Sequence, residues 1–293
     1  LNDHELLART ALLLSYKHAF HIGNHADVLK HIAVIAAIGK MTQKTKPFTV
    51  IDTHAGAGVY ALSDQQVMLN KEYDTGVTQI IDSDENAPPP VQQYIDTVQA
   101  YRERGELPGS PAIVQAMLRA QDEHIIMELH PAEAAKLKRC RVLKDAHIHH
   151  RDGLEGAIAL SPPKIKRGML LIDPPYEQAS EYRQVIKAIQ GVHKRWSNAC
   201  VLLWYPLLSK RAGEKASLSP RMLEQLVDDE IDSAINLRLC VSENSEDVGM
   251  YGSGVLVLNA PWQFYETMQD ALQFLGSQLA CTEASVTWLK QPS

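Results

Sequence analysis

The sequence lacks the long apolar segments of a membrane protein. No hydrophobic run approaches the ~18 residues that cross a bilayer, although 45% of the 293 residues are hydrophobic. The N-terminus also lacks the basic flank of a secretory signal, because Asp3 and Glu5 precede the short apolar run 12–14. We therefore expect neither a membrane span nor export, and this globular composition argues against disorder.

Cysteine is scarce and widely spaced. The four cysteines lie 40 to 60 residues apart, at Cys140, Cys200, Cys240 and Cys281. The absence of a CxxC pair argues against a zinc knuckle or a thioredoxin-type motif. Scattered single thiols are typical of a reducing compartment, so we expect a cytoplasmic protein.

Basic residues are not in excess. The net charge is −6 and the isoelectric point is near 6.1, whereas a protein that holds nucleic acid by bulk charge is usually basic. A nucleic-acid partner would therefore require a local basic patch. The candidate runs are 136–144, 164–167 and 210–211. An ordinary solvated surface also explains each of them.

Short apolar runs alternate with helical patterns along most of the chain. The expected strands are 48–51, 124–129, 146–149, 169–172, 200–205 and 254–258. The expected helices between them include 131–143, 181–195 and 220–231. Apolar runs bounded by turn residues are typical of strands buried on both faces of a parallel sheet. The pattern predicts an α/β fold with a doubly wound sheet.

Residues 59–106 interrupt this alternation. They carry little strand signal, a Pro88-Pro89-Pro90 break and a helix-like run from 91 to 104. We interpret them as a small helical insertion into a main domain formed by 1–58 and 107–293. A segment so much longer than a usual loop is expected to have a function of its own.

A glycine-containing loop, Asp52-Thr53-His54-Ala55-Gly56-Ala57-Gly58, follows the first expected strand. Glycines there let backbone amides approach a ligand. Gly56, Gly58 and Ala61 also satisfy the dinucleotide fingerprint. That fingerprint requires an acid at a strand end about 20 residues later, and the first such acid is Glu128. A carboxylate there suits a ribose diol, so the loop favours S-adenosylmethionine over a dinucleotide and leaves a structural turn open.

Asp173-Pro174-Pro175-Tyr176 follows the expected strand 169–172. This position is the carboxyl edge of the sheet, where ligands of such folds bind. The Asp173 carboxylate and the Pro174 carbonyl can each accept one N–H from an exocyclic amine, and Asp173 can accept its proton. Tyr176 can stack on a flat base. These four residues predict a site where an exocyclic amine accepts a methyl group. The alternative is a structural Pro-Pro turn.

Asp-Pro-Pro-Tyr is the motif of S-adenosylmethionine-dependent amino-methyltransferases. Segment 14–31, Leu-Ser-Tyr-Lys-His-Ala-Phe-His-Ile-Gly-Asn-His-Ala-Asp-Val-Leu-Lys-His, closely resembles the opening of the bacterial ribosomal RNA large subunit methyltransferase J family. Further matching segments are 52–58, 108–111, 128–131, 152–153 and 203–206. The resemblance implies a Rossmann-like class I methyltransferase fold with a small helical insertion. It also implies methylation of N6 of an adenine in 23S ribosomal RNA.

The resemblance also implies roles for individual residues. The donor S-adenosyl-L-methionine, which leaves as S-adenosyl-L-homocysteine, would be bound by His31, His54, Ser110, Glu128, Asp152, Gly153 and Asp173. Asp173 would be the proton acceptor, with Pro174 and Tyr176 beside it, and Tyr16 and Tyr176 would face the substrate. Segment 14–31 would pack at the active site. Thirteen residues precede the motif, unlike in the family pattern.

Several alternatives stay open. His18, His21, His25 and His31 form a cluster in which His21 and His25 have a zinc-compatible spacing, but little besides Asp27 reinforces a metal site, so no metal is expected. A hydrolase lacks support because no G-x-S-x-G elbow occurs. An amino-methyltransferase acting on DNA adenine or a protein glutamine amide, and a binding protein without catalysis, are the other functional hypotheses. A monomer is expected.

Overall fold

The computed structural model describes residues 18–83, 85–228 and 230–292. These residues form ten strands: β1 (Thr49–Asp52), β2 (Val59–Ala61), β3 (Glu106–Pro108), β4 (Glu123–Glu128), β5 (His147–His150), β6 (Gly168–Ile172), β7 (Cys200–Leu208), β8 (Ala234–Cys240), β9 (Met250–Leu258) and β10 (Glu283–Lys290). They also form ten α-helices: α1 (His25–Thr42), α2 (Gln65–Asn70), α3 (Val77–Ile81), α4 (Pro89–Arg102), α5 (Ser110–Met117), α6 (Pro131–Leu137), α7 (Gly153–Ala159), α8 (Ala179–His193), α9 (Leu218–Leu226) and α10 (Phe264–Gln278). Short 3-10 segments are His18–Phe20, Glu72–Asp74, Arg141–Leu143 and Lys210–Ser217.

Eight of the strands form one central sheet in the order β10-β8-β9-β7-β6-β1-β4-β5. The neighbours from β7 to β5 are parallel, while β9, β8 and β10 are antiparallel to their neighbours. This architecture confirms the predicted α/β fold and the six predicted strands. The expectation of a parallel sheet holds only for β7, β6, β1, β4 and β5. The predicted strand β9 is antiparallel to β7, and the strands β8 and β10, which were not predicted, are also antiparallel to their neighbours.

Helices cover both faces of the sheet. One hydrophobic cluster joins one face of the sheet to α1, α5 and α10, and a second cluster joins the other face to α8 and α9. The predicted helix 131–143 is shorter in the structure, since α6 ends at Leu137 and a separate 3-10 turn follows. No helix among the described residues combines the length and the hydropathy needed to span a bilayer.

Helix α1 lies between the sheet and the segment 59–106. Asn24 caps it by accepting hydrogen bonds from the backbone N–H groups of Ala26 and Asp27, each at 3.0 Å. Both sides of α1 are covered, which explains why it is apolar on nearly every side and why Asp27 and Lys30 are buried. Those charged residues therefore need partners within the protein.

The ends of the segment 59–106 pair with each other, because β2 and β3 form a two-stranded antiparallel ribbon. The segment between them holds α2, α3 and α4, which agrees with its expected helical character. Its buried side chains, such as Val77, Tyr94 and Val98, belong to the same hydrophobic cluster as α1. Its division from the main domain as an insertion therefore stays a prediction.

Candidate active site

The parallel strands deliver polar residues to one edge of the sheet. Asp52 ends β1, Glu128 ends β4, and Asp152 and Asp173 follow β5 and β6. Two adjoining cavities open at this edge, and Asp173 lines both. The small cavity has a volume of about 160 Å³ and the large cavity about 540 Å³.

The small cavity contains most of the predicted donor-binding residues. It is lined in part by His54, Gly56, Glu128, Asp152, Gly153, Asp173 and Pro174. Gly56 has a φ of +58°, in the left-handed region that favours glycine. Gly153 lies so close to the backbone carbonyl of Thr53 that a Cβ would collide with it. The two glycines therefore permit the left-handed turn at Gly56 and the close approach of the backbone at Thr53 to that at Gly153.

Glu128 connects the loop after β1 to the loop after β4. Its Oε2 accepts a hydrogen bond from the Gly56 N–H at 2.7 Å, and its Oε1 accepts one from the His130 N–H at 2.6 Å. Burial raises the pKa of Glu128, and these two N–H donors partly offset the increase. A carboxylate held in this way has lone pairs left for hydroxyl groups in the cavity.

Asp52 and Ser110 lie behind the cavity wall. The Ser110 hydroxyl donates to Oδ2 of Asp52 at 2.6 Å, and the His54 N–H donates to Oδ1 at 3.2 Å. Burial raises the pKa of Asp52 to about 6, although both hydrogen bonds lower it. Ser110 lines neither cavity, so its predicted contact with the donor stays a prediction.

The large cavity contains a buried cation that the sequence reasoning missed. Nζ of Lys30 donates to Oδ2 of Asp173 and lies 2.8 Å from Oδ1 of Asp27. Burial disfavours the charged ammonium, but the attraction of Asp173 and Asp27 is larger and raises the pKa of Lys30. The pairing of Lys30 with Asp27 could be predicted from their helical spacing, whereas the pairing with Asp173 could not.

Asp27 extends this charge network to the segment before α1. Its Oδ2 lies 3.0 Å from Nε2 of His18 and accepts a hydrogen bond from the Gly23 N–H at 2.8 Å. Burial opposes ionisation of Asp27, yet His18 and Lys30 hold its pKa well below the usual range. His18 lines both cavities, so the network reaches from the N-terminal segment to Asp173.

Aromatic residues form one wall of the large cavity. Tyr176 has a φ of +50°, and its hydroxyl donates to the Trp204 carbonyl oxygen at 3.2 Å. Its ring lies 4.4 Å from the Tyr182 ring and is only 4% exposed. Trp204 is half-buried and lines the same cavity. The stacking of Tyr176 on a base therefore stays a prediction, and Trp204 is a further candidate for that contact.

His31 and Tyr16 are the remaining predicted site residues. His31 is fully buried in α1, 5.7 Å from the Tyr94 ring, and burial lowers its pKa to about 3. It lines neither cavity, so its donor-binding role stays a prediction. Tyr16 lies outside the described residues, as do residues 14–17 of the N-terminal motif.

Two of the four histidines considered for a metal site, His18 and His21, have carboxylate partners. Nδ1 of His21 lies 3.0 Å from Oε1 of Glu72, which raises the pKa of His21, and His18 contacts Asp27. Across residues 18–83, 85–228 and 230–292, no three His, Cys, Asp or Glu side chains are close enough to hold a metal ion.

The chain is similar to proteins of known family. The family model described as "Ribosomal RNA large subunit methyltransferase D, RlmJ" matches residues 45–290. Ribosomal RNA large subunit methyltransferase J of Escherichia coli (strain K12) is 36% identical over 285 residues, which cover 94% of this chain and 99% of that protein. The protein of the same name from Haemophilus influenzae is 33% identical, over 94% of this chain and 97% of that protein.

A solved structure has the same fold. The crystal structure of a protein from Legionella pneumophila str. Philadelphia 1 is 28% identical in sequence and has a TM-score of 0.82. The match covers 92% of this chain and 98% of that one. The sheet and the helices around the two cavities are therefore an arrangement that occurs in a crystallised relative.

Proposed function

The chain belongs to the family of ribosomal RNA large subunit methyltransferases whose model it matches, and from this membership we propose that it methylates N6 of an adenine in 23S ribosomal RNA. S-adenosylmethionine is the proposed methyl donor. The observation that carries the proposal is the position of Asp173, which lines both cavities at the carboxyl edge of the sheet. A group in that position can contact the donor and the acceptor amine together.

The residues of the small cavity fit S-adenosylmethionine. Glu128 offers a carboxylate to the ribose diol. The Asp152 carboxylate can accept an N–H of the adenine amine, and the Gly153 backbone N–H can donate to a ring nitrogen of the same adenine. His54 and Asp173 lie toward the methionine end in this arrangement. The bound donor supplies a methyl group on a sulfonium, which is the electrophile.

The residues at Asp173 hold the acceptor nitrogen. The Asp173 carboxylate and the Pro174 carbonyl each accept one N–H of the adenine amine, which directs the nitrogen lone pair away from the ring and toward the donor. Lys30 holds the Asp173 carboxylate in place through an ion pair. Transfer of the methyl group would form the N–C bond and break the S–C bond of the sulfonium, with S-adenosylhomocysteine as the leaving group, and Asp173 accepts the excess proton of the amine. Correct placement of the two reactants contributes about 7–11 kcal/mol.

The large cavity receives the base. An adenine within a duplex does not expose N6 to an enzyme pocket, so the target nucleotide must be unstacked and inserted. A volume of about 540 Å³ is sufficient for a base with its ribose. Trp204 and Tyr176 border this space, and Tyr16 is proposed to contact the same base. The proposed enzyme is a monomer and acts in the cytoplasm, where the RNA is made.

The test offers the three competing substrates to the same enzyme. The protein is incubated with radiolabelled S-adenosylmethionine and, separately, with total RNA, genomic DNA and protein from cells that lack the endogenous activity. We expect label in N6-methyladenosine from 23S RNA. Label in DNA or protein alone would show that DNA or protein, and not RNA, is the substrate. Donor binding without any methyl transfer would indicate a binding protein without catalytic activity.

A further inference from the structure

A basic groove lies beside the active site, between the β2–β3 ribbon and the segment 131–143. It is open, with a volume of about 900 Å³. Its cationic lining residues are Arg104, Lys136, Arg139 and Arg141, and its two carboxylates are Asp64 and Glu106. This local excess of positive charge contrasts with the net charge of −6 for the whole chain. We propose that this groove binds the phosphate backbone of the RNA substrate next to the methylated nucleotide.

Two of the cations have no carboxylate partner. Lys136 lies 3.0 Å from Oε1 of Glu133, and Arg104 lies 3.9 Å from Oε2 of Glu106. By contrast, no carboxylate in the described part of the chain lies within the 4.0 Å ion-pair distance of Arg139 or Arg141. Both are exposed, and Arg139 donates one hydrogen bond, from Nε to the Ala135 carbonyl at 3.1 Å. Their remaining N–H groups are available to phosphate oxygens, which guanidinium groups bind in a bidentate manner.

The groove also presents a flat cationic surface. The Arg104 guanidinium lies over the Tyr101 ring, 4.4 Å from its centroid, and the Arg104 side chain is 54% exposed. A guanidinium plane supported by a ring on one face has its other face free to stack on an unpaired base. The groove thus combines backbone-binding cations with a stacking surface, as single-stranded RNA sites do.

The groove is adjacent to the small cavity. Gly56 lines the cavity and Ala57 lines the groove, while on α6 Glu133 lines the cavity and Lys136, one turn later, lines the groove. An RNA strand in the groove is therefore next to the donor site, and its neighbouring nucleotides can reach the large cavity. This inference rests on the proposed RNA substrate.

A second basic surface lies at the opposite edge of the sheet and supplies the control. Lys164 and Lys166 are exposed in the loop that precedes β6. Arg119 and Arg167 both donate to the carbonyl of Lys46, at 3.1 and 2.7 Å, and so join three basic loops at this edge. Because this surface is at the starts of the strands, it is far from Asp173.

The test compares two variants that lose the same charge. Arg139→Gln/Arg141→Gln changes the groove, and Lys164→Gln/Lys166→Gln changes the opposite edge. Binding of transcribed 23S RNA to the full chain is measured between about 50 and 200 mM salt. We expect the groove variant to bind about tenfold more weakly, with a slope of log K against log salt reduced by about 1 to 2. We expect the control to change less than about twofold.

A groove variant that binds like the wild type, or a control that loses as much affinity, would overturn the proposal. Binding of S-adenosylmethionine by both variants checks their folding. Methylation of the same RNA by the wild type is scored separately. If the RNA is methylated but its binding does not depend on Arg139 and Arg141, the groove proposal is wrong and the proposed function stands. If the RNA binds through the groove but is never methylated, the proposed function is wrong and the groove proposal stands.

Arg104→Lys tests the stacking surface, because the variant keeps the positive charge and removes the planar guanidinium group. We expect about a fivefold loss of RNA affinity with an unchanged salt slope. Unchanged affinity would overturn the stacking part of the proposal.

Discussion

Lys30 and Asp173 form a buried ion pair although 143 residues separate them in the chain. Lys30 is on α1, and Asp173 is in the loop after β6, at the junction of the two cavities. The Lys30 side chain is only 4% exposed and also contacts Asp27 at 2.8 Å. One cation thus connects a buried helix to the residue that lines both cavities.

Replacement of Lys30 should destabilise the protein. In Lys30→Met, Asp27 and Asp173 lose their shared cation, and a buried charge without its partner costs about 3–5 kcal/mol. The free energy of unfolding is measured by urea denaturation. Lys30→Met/Asp27→Asn is the matched control, since it also removes one buried carboxylate and should recover part of the loss. An unchanged urea midpoint in Lys30→Met would show that the pair does not contribute to stability.

Glu128→Gln should weaken donor binding. Both carboxylate oxygens accept backbone N–H groups, at 2.7 and 2.6 Å, whereas glutamine has one acceptor oxygen. Loss of a hydrogen bond to a charged group corresponds to about a 10- to 100-fold change in affinity. Titration calorimetry with S-adenosylhomocysteine measures it. Glu155→Gln, which changes a carboxylate that is 76% exposed, is the control. Equal affinity of wild type and Glu128→Gln would remove Glu128 from the donor site.

The stability of the protein should fall as the pH drops below about 6.5, in part because of His124. Burial, followed by the charge of His147, lowers the pKa of His124 to about 3. Between these values the unfolded chain binds a proton that the folded chain does not, so the contribution is complete at neutral pH and is lost on acidification. Asp52 acts in the opposite direction, because its raised pKa of about 6 stabilises the fold at lower pH.

The variant His124→Gln isolates the histidine contribution. We expect its unfolding free energy to depend less steeply on pH between about 6.5 and 5, by up to about 1.4 kcal/mol per pH unit. Urea denaturation of both proteins at several pH values measures the two slopes. Identical slopes would contradict a neutral buried His124.

Tyr176→Phe should affect stability more than methyl transfer. The hydroxyl donates to the Trp204 carbonyl at 3.2 Å inside the protein, and losing such a bond costs about 0.5–1.5 kcal/mol. Steady-state methylation should stay within about threefold of the wild type, since the ring is retained. A large loss of kcat with unchanged stability would mean that the hydroxyl contacts the substrate instead.

The sequence predicted six of the eight strands of the central sheet and missed β8 and β10. Strands β1, β6 and β7 are mostly buried and contain the clearest apolar runs. Strand β10 is at the edge of the sheet and is half-exposed, so its polar residues interrupt the apolar run that would predict a strand. Strands β2 and β3 have only three residues each, which is too short for a periodic signal.

The site was predictable where a loop follows a parallel strand. The positions of Glu128, Asp152 and Asp173 follow from the shared edge at which such strands end. Side-chain directions on helices did not follow in the same way. Lys30 and His31 are adjacent in α1, yet one contacts Asp173 and the other lies against Tyr94, because successive helical residues point about 100° apart.

The central claim is that Asp173 promotes methylation of an adenine N6 in 23S RNA. The direct measurement is nucleoside mass spectrometry of 23S RNA from cells lacking the endogenous activity, after incubation with wild type or Asp173→Asn. We predict one N6-methyladenosine added per RNA by the wild type. We predict at least about 100-fold slower addition by Asp173→Asn, with donor affinity changed only a few-fold. Equal rates for the two proteins, or a methyl group found elsewhere than on N6, would contradict the account.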